Sequence, residues 1–138
     1  MSIGTWEPTA PTPTLDADAV ARLVTLALAA GEAPGSLNLD AATAAQCAPW
    51  AKDAGPDSPV DWASAAVALP DASLVALIRL FAQGEMTFPE WKSGDSSPVI
   101  ALARELRSRG SYPADLTAWL RSHSDNRFLP YGSLMGRR

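Results

Sequence analysis

Proline interrupts this chain so often that its regular elements must be short, and the apolar residues between prolines repeat at helical spacing. There are twelve prolines in 138 residues. Proline lacks an amide hydrogen and its ring clashes with the preceding helical turn, so it breaks a helix interior but is tolerated in the first turn. No run of β-branched residues long enough for a strand competes with the helical pattern. The chain is therefore predicted to be all-α. The expected form is an irregular orthogonal bundle of about five to seven short helices with prolines at the corners.

Apolar spacing places the helices. Val20, Leu23, Val24, Ala27 and Leu28 predict a helix over 16–30, capped by Thr14 or Asp16 and ended by Gly31. Asp40 opens a helix over 40–48 that Pro49 kinks or ends. Ser58-Pro59 reads as the start of a helix over 59–69, with Trp62, Ala66 and Leu69 on one side. Leu74, Leu77, Ile78 and Phe81 form a strong stripe over 72–83, widened by Val75 and Leu80, with Gly84 as the stop. A helix apolar on so many sides is expected at the centre of the core. Residues 85–96 have no helical period and read as an irregular loop, with one turn near Glu90. Ser97-Pro98 opens a helix over 98–109 that Gly110 ends, and a last helix over 113–122 turns Leu116, Trp119 and Leu120 inward.

The two ends differ from the middle. Residues 1–14 hold Pro8, Pro11 and Pro13 among Thr and Ala, a composition that favours an extended, flexible arm. Trp6 is its one adhesive side chain, so the arm offers a route to a homo-oligomer. Residues 15–138 are expected to form a single helical domain. Within 124–138, Pro130, Gly132 and Gly136 oppose a long helix, yet Phe128, Leu129, Tyr131, Leu134 and Met135 are too apolar for a free tail.

Composition narrows the function classes. At 47% hydrophobic the chain can build a core. It lacks an apolar run long enough for a transmembrane helix and shows no signal peptide, and its lone Cys47 cannot form an internal disulfide. These features predict a cytoplasmic protein with no membrane partner. Nine Arg against two Lys, with abundant Ala, is the habit of a GC-rich bacterial genome. The net charge of −4 argues against general nucleic-acid binding. The charge is uneven, however: residues 1–75 hold nine acids and two bases, and residues 76–138 hold six acids and nine bases.

No motif names a reaction. Cys and His never occur at metal-ligand spacing, and glycine-rich phosphate loops are absent, so no metal and no cofactor are expected. Cys47 lies in an Ala-rich helix and reads as a small core residue. His123 continues the apolar face of the last helix, where a C-terminal histidine favours the helix dipole. The expected function is a non-catalytic protein-interaction or assembly module with a protein partner of unknown identity. Its candidate surface is Met86, Phe88 and Trp91 from the aromatic loop, with Arg127, Phe128, Tyr131 and Leu134 from the tail. One alternative is weak nucleic-acid binding through Arg104, Arg107, Arg109, Arg121, Arg127, Arg137 and Arg138. Another is a small-ligand protein or enzyme using His123 with Asp125 and Arg127, near Tyr131.

Overall fold

The computed structural model describes residues 14–30, 39–56 and 58–130. The chain is all-α, with no strand among the described residues. The helices are α1 (Ala17–Ala30), α2 (Ala41–Cys47), α3 (Trp62–Val67), α4 (Asp71–Thr87), α5 (Pro98–Arg109) and α6 (Leu116–His123). Short 3₁₀ turns occupy Ala48–Ala51, Pro89–Trp91 and Gly94–Ser96. Apart from Thr14, the proposed N-terminal arm lies outside the described residues, as do Gly31, Tyr131, Leu134 and Met135.

Side-chain caps set several helix starts. Asp16 Oδ1 accepts from the Ala19 amide at 2.9 Å, and Asp40 Oδ1 accepts from Thr43 at 2.7 Å. Each satisfies an amide that the first helical turn leaves without a partner. Ser97 Oγ accepts from Val99 at 3.2 Å, so the second Ser-Pro pair does open α5. Gly110 closes α5 in the left-handed region at φ 72°.

The first Ser-Pro pair behaves differently. The helix expected over 59–69 begins only at Trp62, because residues 58–60 are held by their neighbours in sequence and space. Leu15 donates to the Pro59 carbonyl at 2.7 Å and Ala54 to the Val60 carbonyl at 2.9 Å. The Val60 carbonyl also accepts from Ser58 Oγ at 3.0 Å, so both of its lone pairs are used outside a helix. Asp61 becomes the cap instead, accepting from Ser64 at 3.2 Å. The last helix is likewise shorter at its start, since Pro113–Asp115 make a turn ahead of Leu116.

Helix α4 occupies the middle of the packing. Leu74, Leu77, Ile78, Leu80 and Phe81 are buried, and α4 touches α1, α5, α6 and the Pro89–Trp91 turn. Gly84 does not end α4, which runs on to Thr87. A Cβ at position 84 would lie 2.1 Å from Trp91 Cε3, so the glycine admits the indole ring onto the helix backbone. Trp91 Nε1 then donates to the Ala44 carbonyl at 2.8 Å, tying α2 to α4 through one side chain. Trp62, Phe81, Trp91 and Phe88 follow one another through the core at centroid separations of 5.2, 5.8 and 5.4 Å. These are ordinary tilted and edge-on aromatic contacts.

One arginine joins three helices. Arg109 Nε donates to Glu105 at 2.8 Å, its Nη1 to Asp71 at 2.8 Å, and its Nη2 to the Ala66 carbonyl at 3.0 Å. The end of α3 and the start of α4 are thereby fixed to the last turn of α5.

Candidate functional site

The last turn of α4 carries a carboxylate inward. Glu85 lies four residues after Phe81, on the helix's buried face, and is only 6% exposed. A carboxylate so placed must find donors. The Ser93 and Gly94 amides donate to its Oε2 at 3.0 and 3.1 Å. Asn126 Nδ2 donates to Oε1 at 3.0 Å and to Oε2 at 3.2 Å. The same Nδ2 reaches the Gly94 carbonyl at 3.0 Å, while Asn126 Oδ1 accepts from the Phe128 amide at 2.9 Å. Glu85 therefore links α4 to two irregular segments, one before α5 and one after α6.

An open cleft of about 530 Å³ lies over this linkage, bounded by Lys52, Lys92, Ser93, Ser96, Asp125, Arg127 and Phe128. Lys52, Lys92 and Arg127 are exposed, and the Arg127 guanidinium carbon sits 5.2 Å from the centroid of the Phe128 ring. Arg121 lines a smaller adjoining hollow that shares Asp125, Asn126 and Arg127 with the cleft.

The residues expected to form an interaction surface have separate fates. Met86 is 50% exposed, Phe88 and Phe128 are half-buried, and Arg127 is exposed. Trp91 is corrected from surface to core: it is 1% exposed, enclosed by Gly84, Phe81 and Phe88, with its indole nitrogen bonded. Tyr131 and Leu134 lie outside the described residues. Sequence reasoning missed Glu85, Lys52, Lys92 and Asn126. For Glu85 a signal existed, since a carboxylate that continues an apolar stripe needs buried donors. Lys52 is brought to the cleft only by tertiary packing.

His123 stacks on Trp119 at a centroid separation of 4.2 Å and an interplanar angle of 12°. Its Nδ1 lies 2.9 Å from the Trp119 carbonyl, an acceptor only, which favours the Nδ1–H tautomer. His123 and Asp125 share an open hollow with Met86, Ser122 and Ser124, whereas Arg127 lines the cleft beyond. No cluster of metal-ligating side chains occurs among the described residues. Cys47 is buried, and desolvation pushes its thiol pKa up, opposite to the shift that activates a nucleophile. Of the arginines, Arg109 is engaged by two carboxylates, Arg79 lies over Trp119 at 5.5 Å and Arg107 over Tyr112 at 5.7 Å. Among the described residues, no helix is long and apolar enough to cross a membrane. Compared with protein-family models, curated proteins and solved structures, the chain matches none.

Proposed function

We propose that this chain is a non-catalytic binding module that engages a protein partner at the cleft formed by residues 92–96 and 125–128. The observation that carries the reading is the Glu85 linkage. Two irregular segments, separated in sequence by α5 and α6, are fixed to the core by one buried carboxylate and the donors it holds. Loops fixed in advance lose little conformational freedom on binding, which is what a recognition surface requires. Arg127 and Phe128 are the contact residues this reading favours, being an accessible cation beside a half-buried aromatic ring. A catalytic role for His123 has less support, because its ring is stacked and its Nδ1 is already bonded.

The test is capture from lysate of the source cell with the wild-type chain and with the double variant Arg127→Ala, Phe128→Ala. The expected result is a reproducible partner that the variant loses while its melting curve stays cooperative. A partner retained equally by both proteins, or no reproducible partner, overturns the reading.

A further inference from the structure

We infer that the partner of this cleft presents an acidic peptide segment, held by Lys52, Lys92 and Arg127. The inference rests on the reading of the cleft as the binding face and adds the chemistry of its ligand. Among the described basic residues, the side chains of Lys52, Lys92, Arg104, Arg121 and Arg127 have no hydrogen bond or ion pair. Four of these five line the cleft or the hollow adjoining it, and only Arg104 does not. In a chain of net charge −4, the uncommitted positive charge of the described residues is concentrated at one place.

The negative groups at the site offset this charge only in part. Glu85 faces the Ser93 and Gly94 amides and Asn126, while Asp125 lines the cleft and Asp95 is exposed between Gly94 and Ser96. Two exposed carboxylates thus stand against Lys52, Lys92, Arg127 and the adjoining Arg121. The Arg127 guanidinium carbon lies 5.2 Å from the Phe128 ring centroid, and its N–H groups have no hydrogen-bond partner among the described residues, which leaves them for a carboxylate. The cleft is open and shallow, unlike pockets that enclose a small molecule, and it suits a length of chain. A nucleic acid is the poorer fit. Three cations neutralise few phosphates, and the acidic remainder of the molecule repels a long polyanion.

The probe is a fluorescently labelled oligoglutamate peptide, titrated with the full chain and followed by polarisation. A single-stranded DNA of equal charge serves as the competing ligand. Oligoglutamate binding is expected to weaken about tenfold between low and physiological salt. It should weaken by about the same factor in Lys92→Glu and in Arg127→Glu, but not in Arg104→Glu. DNA binding as tight as oligoglutamate binding overturns the inference in favour of nucleic acid. Absence of oligoglutamate binding, or equal loss in Arg104→Glu, also overturns it. If oligoglutamate fails while partner capture still depends on Arg127 and Phe128, the acidic chemistry alone is wrong. If capture depends on neither residue, the cleft itself is wrong.

Discussion

Glu85 occupies a position on α4 where the apolar stripe calls for a leucine, and the cost of burying it there is met by fixed donors. The arrangement makes an isosteric change harmful. In Glu85→Gln one terminal atom becomes an NH₂ group, and it must face either the Ser93 and Gly94 amides or Asn126 Nδ2, all of them donors. Asn126 cannot turn over to relieve the clash without losing its bonds to the Gly94 carbonyl and the Phe128 amide. The expected loss is about 2 kcal/mol in urea unfolding, the usual scale for a buried polar group left without its partner. A loss within the error of the measurement would show that the carboxylate is not structural. At this scale the sequence was readable where one residue decides the outcome alone, as at Asp40, Ser97 and Gly110. It was not readable at Gly84, where a glycine in a helical pattern resembles a stop signal. Its meaning comes from an indole seven residues further on, and spacing along the chain does not reveal which ring will lie against it.

Among the elements, α4 follows from apolar spacing except at its end, which passes Gly84, and α5 follows from apolar spacing together with its Ser97 cap and Gly110 stop. Helix α3 starts later than its Ser-Pro pair suggests because Ala54, a near neighbour, takes the Val60 carbonyl and Leu15, far off in sequence, takes that of Pro59. Long-range hydrogen bonds of this kind have no local signature. The junction of α3, α4 and α5 has a pH consequence. Hydrogen bonds from Arg109, with Ser111 contributing, hold the Asp71 carboxyl below its ordinary pKa of 3.8. A carboxyl lowered in the folded state stabilises fully above the unfolded value and loses that contribution as pH falls through the folded one. The urea midpoint of the wild type should therefore exceed that of Asp71→Asn at neutral pH. The two should converge as the pH is taken well below 3.8. A constant gap across that range would assign the effect to something other than the charge.

For the whole molecule, the all-α class and the central place of α4 were legible, while the cleft was not. Its walls come from Lys52, from residues 92–96 and from residues 125–128, and only packing brings these together. The Trp91 ring that was read as surface is part of what joins α2 to α4 beneath them. The buried carboxylate has one more consequence. Backbone amides in irregular segments ordinarily exchange their hydrogens with solvent quickly, because nothing encloses them. Here the amides of Ser93 and Gly94 end on Glu85, and that of Phe128 ends on the side chain which Glu85 holds. In deuterated water these three should retain their protons nearly as long as the interior of α4, and Asn126→Ala should release all three together while α4 stays protected. The two irregular segments would then melt with the core and not before it, so that the cleft is lost only when the fold is lost.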